Sequence, residues 1–449
     1  MKRLAYGLTL STFAIATIFV SALSTSQLPA QTKSRTPRSQ SPPKGPSAGE
    51  GQERLLPEKN WSQDAAEQRQ FEQIRRGLAA ATNAELLDHA AQWYAYRLSH
   101  TEYQEPKGSF RGMHDLVKDA LDQIVNLRDP KTTAAQRTYM EEFGKRFAAR
   151  LREVVKNPKI IARLNAALIL ARLAAAGQEN AVDVLVEILQ DPKESDGVKL
   201  HALRGIKEFF ASGRGESPFT DKEREARVIS ALLEYVLHKP SLRTGASPEE
   251  VAAVDYVRAE AIAALGQTLY PAGVNVVKKV VHIERPTALV LLRVLRKDGF
   301  QPEPSLAEQV AAAVGVCHLH SKEMDQYNAD YVAYHVGRFL VDFAALYNSR
   351  AQDEKKQPWK IYSHHLSNAL EIMKADLANP PASEHSAYVA KLAEQADRIL
   401  SPIQKGSSSS NPQPNDLSAW LDQNPPKSKM VYKGMPEAAI REGDRAAGG

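Results

Sequence analysis

An all-α fold, an α-solenoid of short helical hairpins with helical flanks at both ends, is what this sequence predicts, and three observations predict it. Apolar residues recur at helical spacing through most of the chain. Alanine and leucine repeat in register in several copies, the first behind a proline start signal. Asp-Pro, Gly and Ser/Asn punctuation separates segments of helix length. A single hairpin cannot bury both of its faces, so copies of this kind stack.

The clearest copy begins at Asn157-Pro158. Taking Arg163 as reference, Ala166, Ala167, Ile169, Leu170, Ala171 and Leu173 follow at +3, +4, +6, +7, +8 and +10. Lys199 heads a second copy, with Ala202, Leu203, Gly205, Ile206, Lys207 and Phe209 at the same offsets. Arg258 heads a third, with Ala261, Ile262, Ala264, Leu265 and Gly266, and its next large apolar residue, Leu269, comes one place late. Ala307 heads a fourth that lacks the basic residue, with Val310, Ala311, Ala313, Val314 and Gly315. Partner helices are predicted through Ala181, Val184, Leu185, Ile188 and Leu189, and through Ile229, Leu232, Leu233 and Val236. The small residues let helix backbones approach, and the leucines fill the seam.

These residues resemble the HEAT repeat, above all the short HEAT-like repeat of phycobilin lyases, across about residues 157–270. The core of that pattern, Val-Arg, two residues, Ala-Ala, one residue, Ala-Leu-Gly, is best matched by Val257-Arg258-Ala259-Glu260-Ala261-Ile262-Ala263-Ala264-Leu265-Gly266. The departures are Asn157 in place of the usual Asp, and Asp191-Pro192 standing two residues further from Lys199 than the pattern places it. The resemblance implies a solenoid, and it implies that Arg163, Lys199 and Arg258 bond within the stack. As a column of equivalent cations they could instead read an acidic ligand. The interval from Lys199 to Arg258 is also longer than that from Arg163 to Lys199, which predicts loops at 211–223 and 239–248, either of which could carry binding.

Around the repeats the domain plan has five further parts. Residues 1–30 carry Lys2 and Arg3 before an apolar run from Leu4 to Leu23, with small-residue cleavage positions at Ala22 and Ala30. That reads as a secretory signal peptide or as an uncleaved anchor of residues 4–23. Residues 31–59, rich in Pro, Ser and Gly, read as a linker. Residues 60–156 form an N-terminal helical region, with Ser62 as a first cap and helices through Phe71 and Ile74, through Leu87 and Trp93, over Met113–Leu127, and over Ala134–Val155. The HEAT-like array covers 157–300, and in it Val274–Leu295 reads as buried helix broken at Glu284-Arg285-Pro286. Residues 301–402 form a C-terminal helical cap, with helices near 305–318, 327–349, 359–378 and 384–401. Residues 403–449 read as a disordered tail. In that tail Leu417, Trp420 and Leu421, behind Asp416 and before Pro425, make one amphipathic turn fit to dock on another protein or in the chain's own groove.

Composition narrows the function. The 449 residues carry 58 Lys and Arg against 53 Asp and Glu, and Lys33, Arg35, Arg38 and Lys44 of the excess lie in the linker, so no clustered basic face points to nucleic acid. Cys317 is the only cysteine, which rules out an internal disulfide and any cysteine-built zinc or iron-sulfur centre. Cys317, His318 and His320, with His335 further on, are the densest group of ligand-type residues. Neighbours on one helix point about 100° apart, so the group spreads around its axis instead of converging. His364-His365 shares that geometry. Neither a nucleophile motif nor a phosphate loop occurs. No catalytic, cofactor-binding or metal residue is assigned and no cofactor is expected. The reading is an exported non-catalytic scaffold with a protein partner and no nucleic acid, which meets membrane only through residues 4–23. The alternatives are an envelope enzyme or accessory lyase subunit with a site near Cys317 to His335, and a structural envelope protein tethered by residues 4–23.

Overall fold

The computed structural model describes residues 64–104, 112–213, 215–238, 245–277, 280–300, 302–320, 324, 326–350, 358–378, 384–406 and 412–434. The signal or anchor segment, the linker and residues 435–449 lie outside them, as do Ser62 and residues 239–244 of the second predicted loop. The described body is all-α apart from one hairpin. Its first helices are α1 (Ala65–Arg75), α2 (Ala84–Tyr96), the short α3 (Thr101–Gln104), α4 (Met113–Leu121) and α5 (Ala134–Val154). Asp64 caps α1 by accepting from Ala66 N and Glu67 N, and Thr133 with Gln136 closes a capping box on α5. Helix α4 is shorter than predicted: the backbone leaves the helix after Leu121, where Val125 N turns to Met140 Sδ and Leu127 N to Ala176 O.

The chain continues through α6 (Ile160–Ala175), α7 (Glu179–Gln190), α8 (Asp196–Ala211), α9 (Lys222–Leu237) and α10 (Pro248–Leu265). It then runs through α11 (Thr287–Arg296), α12 (Leu306–His318), α13 (Ala329–Ser349), α14 (Trp359–Leu377), α15 (Glu384–Lys405) and α16 (Pro414–Gln423). Two ranks emerge from their packing. Helices α6, α8, α10, α12 and α14 each pack on the next in one rank, and α5, α7, α9, α11, α13 and α15 do so in the other. This alternation is consistent with a solenoid-like arrangement, and it runs on past residue 300 without a break. Tyr139, Phe143 and Phe147 of α5 are fully buried and stack along the helix, as core aromatics should.

Small residues set the closest approaches in the first rank. A Cβ on Gly266 would lie 2.3 Å from the Gly315 Cα, and one on Gly205 would lie 2.6 Å from the Ala171 Cα. The register that brings small residues to +6 and +8 is therefore the register in which backbones touch. Leu269 falls one place late because α10 has already ended. It sits in the left-handed region at φ 68°, and its carbonyl accepts from His320 N at 2.6 Å.

Two expectations are corrected. Val274–Leu295 is not one broken helix: β1 (Gly273–Val277) and β2 (Val280–Glu284) form an antiparallel hairpin with Val274 opposite Ile283 and Val276 opposite Val281, and only Thr287–Arg296 is helical and buried. The β-branched residues alternate with Asn275 and His282, a period of two that favours a strand over a helix. The second correction concerns the tail. Helix α15 extends to Lys405, and residues 412–434 are folded onto α13, with Leu417, Leu421, Val431 and Tyr432 buried. Asn328 holds this segment by donating from Nδ2 to Ser428 O at 3.0 Å and Met430 O at 2.9 Å, and Tyr432 Oη donates to Pro271 O at 2.7 Å. The cap is Gln413, and Asp416 lies inside the first turn.

Candidate functional site

The cluster from Cys317 to His335 does not converge. Cys317 points into the core, and burial pushes its thiol up to about 12, so it stays protonated at neutral pH and is no nucleophile. His318 Nδ1 lies 2.8 Å from Gln267 Nε2, joining α12 to α10. His320 Nδ1 lies 2.8 Å from Asp376 Oδ1 on α14. His335 packs edge-on against Tyr331 and Tyr334. His318 and His320 thus bond to different segments while His335 packs on tyrosines of its own helix, and among the described residues no group of three His, Cys, Asp or Glu could hold a metal ion. His364 is exposed beside the half-buried His365.

The basic series turns inward. Arg163 pairs with Glu194 at 3.0 Å and donates to Asn157 O and Pro158 O, so the carboxylate comes from the turn of the next hairpin. Lys199 is buried with Nζ 6.0 Å from the Tyr235 ring. Arg258 is fully buried: Nε and Nη2 donate to Val236 O, Nη1 donates to Glu308 Oε1 at 3.1 Å, and the Phe300 ring lies under the guanidinium. No acidic ligand can reach Arg258. The loop after α8 is likewise pinned, because Phe219 is buried against Phe209 and Phe210 and Arg128 Nη2 donates to Pro218 O.

One face of the first rank exposes large apolar and aromatic residues. Ile160 and Ile161 on α6 are 49% and 39% exposed, large values for isoleucine beside a packed seam. Leu164, one turn on, lies where a Cβ on Gly197 of α8 would meet it at 3.2 Å. Leu200 and Arg204 follow on α8, and Arg204 Nη2 donates to Tyr256 Oη on α10 at 2.7 Å, with the ring 44% exposed. Lys207 pairs with Glu260, again bridging α8 to α10. Burial raises the Tyr362 phenol on α14, and Tyr256 raises it further. Burial lowers His365, with Lys207 and His364 adding to the effect, and lowers His201, with Arg204 adding. The face therefore presents an apolar end on α6 and a polar, aromatic end where α8 and α10 meet.

Sequence reasoning does not single out Arg204, Tyr256, Lys207 or Glu260. One signal is present: Lys207 occupies a +8 place that the other copies fill with alanine or glycine. No known family model matches this sequence, and no curated protein is similar to it. The geometry alone must carry the functional reading. Among the described residues no helix is long and apolar enough to cross a membrane.

The buried His318 also makes the fold sensitive to acid. Burial, with His365 and His320 adding, pulls His318 down to about 4 from an ordinary 6.5. The unfolded chain takes up this proton first, so stability falls as pH drops below about 6.5 and the whole contribution, ~3 kcal/mol, is gone below about 4. Urea midpoints at pH 7 and pH 4.5 should separate by less in His318→Gln than in the parent chain; equal separation would remove His318 as the cause.

Proposed function

We propose that this chain is an exported, non-catalytic scaffold, built of hairpins similar to HEAT repeats, that holds a protein partner on the open face of α6, α8 and α10. The observation that carries the reading is the exposure of Ile160, Ile161 and Tyr256 on helices of the first rank, with Arg204 on α8 donating to Tyr256 Oη. Aromatic and arginine side chains at the centre of a patch with aliphatic neighbours match the composition of binding hot spots. The inward bonding of Arg163 and Arg258 supports a stack whose cations hold hairpins together and leave recognition to other residues. Export rests on Lys2, Arg3 and the apolar run to Leu23, and a mature N-terminus found near Leu23 or Gln31 would separate a cleaved signal from an anchor.

A photo-crosslinking amino acid placed at Tyr256 in the native host tests the reading. A discrete protein adduct at Tyr256, absent when the same group stands at the exposed Ile372 and lost on adding Arg204→Glu, is the expected result. Identical adducts at both positions, or none at Tyr256, would sink the proposal.

A further inference from the structure

The turn between α2 and α3 holds an arginine with no use in the fold as described. Arg97 opens a 3-10 turn, Arg97–Ser99, pinned by Ser99 Oγ donating to Tyr96 O and by Gln104 Nε2 donating to Leu98 O. One helical turn earlier, Trp93 places its ring 4.4 Å from the guanidinium carbon, and Tyr103, returning on α3, lies 5.0 Å away. Arg97 is only 8% exposed, yet its buried Nε donates to no group among the described residues. No carboxylate among the described residues forms an ion pair with Arg97: Glu102 lies 3.7 Å from His100 Nδ1, and Glu153 and Asp88 pair with Arg150.

Two aromatic rings can satisfy the faces of a guanidinium, but its five N–H donors lie in its plane and need acceptors there. A buried donor left without one requires an explanation, and a bound anion is among the few that serve. We propose that Arg97, held by Trp93 and Tyr103, is a recognition site for a carboxylate on a peptide. A planar carboxylate fits the edge of a planar guanidinium with two parallel hydrogen bonds, and the rings have already removed the rotamer freedom that such binding would cost. Trp, Tyr and Arg in contact are also the residue types that dominate interface energetics. The site is independent of the open face of α6, α8 and α10, so each can fail without the other.

The test uses the full chain labelled with 15N-arginine, with the Arg97 Nε–H resonance assigned by its loss in Arg97→Lys. Two probes are titrated at constant ionic strength: an N-acetylated, C-amidated hexaglutamate, which offers side-chain carboxylates alone, and an N-acetylated alanine peptide with a free C-terminus, which offers one terminal carboxylate. A saturable shift of the Arg97 resonance with either peptide is expected, and the responding peptide identifies the carboxylate's source. Calorimetry of the same peptide with Arg97→Lys, which keeps the charge but loses the flat fork, should show binding weaker by about tenfold or more. No saturable shift with either peptide would overturn the proposal even if Arg97→Lys failed to fold, and equal affinity in a folded Arg97→Lys would overturn it as well.

Discussion

Glu308→Ala is expected to lower the unfolding free energy by about 3–5 kcal/mol, the range seen when one partner of a buried ion pair is removed. Arg258 and Glu308 are both without solvent exposure, and burial pulls the Arg258 guanidinium down while Glu308 pulls it back up. Glu308 does two jobs with its two oxygens. Oε1 accepts from Arg258, and Oε2 accepts from Ser305 N in the capping box of α12. Alanine removes both, leaving Arg258 Nη1 buried with its charge uncompensated and the first turn of α12 less well capped. Glu308→Gln keeps an acceptor and should cost less. The double replacement Arg258→Met with Glu308→Met should cost less than Glu308→Ala alone, because apolar side chains need no partner. Urea unfolding of the three variants measures this, and a Glu308→Ala cost below about 1 kcal/mol would show that the pair does not carry the α10 to α12 contact.

Tyr432→Ala should cost about 3–5 kcal/mol, the usual loss for a large aromatic removed from a core. Tyr432 has no exposed surface, bridges to Tyr327 in an antiparallel pair, and reaches Pro271 O across the fold. Tyr432→Phe separates the hydroxyl from the ring and should cost only about 1 kcal/mol. Because Lys433 N also donates to Gln326 O and Asn328 N to Val431 O, losing the tyrosine should loosen residues 428–433 together. Hydrogen exchange at the Asn328 and Lys433 amides reads that directly. Unchanged protection at both sites in Tyr432→Ala, with stability near that of the parent chain, would mean that the segment is not docked there.

Both predictions fall where the sequence is only partly legible, for different reasons. Arg258 is visible as a register position, and the choice between a ligand ladder and an internal bond stays open at that level. Its true partner, Glu308, lies in the copy that lacks the basic residue, and nothing local marks the two as neighbours. The tail reads as disordered because Gly406 to Ser410 and the prolines after it dilute its apolar residues, while the four side chains that dock it are spread over Leu417 to Tyr432. Four anchors in a polar stretch suffice when a groove exists to receive them, and the groove, at Gly337 on α13, is invisible until the chain folds. The hairpin at Gly273–Glu284 escapes because a short apolar run without a count of its period is as compatible with helix as with strand.

Among the candidate sites, Cys317, His318 and His320 can be judged from the sequence, since about 100° per residue already sends neighbouring side chains apart. The open face cannot. Ile160, Arg204 and Tyr256 belong to three helices, and which side of each helix remains uncovered depends on the second rank and on how α14 returns to the first. What the sequence by itself determined is most of the helices and the small-residue register, because capping, propensity and periodicity act within a few residues of one another. What only the tertiary structure decided is the pairing of Arg258 with Glu308, the docking of the tail, and the exposure of one face together with the stacking of Arg97 between Trp93 and Tyr103. Those depend on groups brought together by packing between helices, and backbones that touch at Gly266 and Gly315 leave little latitude in where the neighbouring side chains fall.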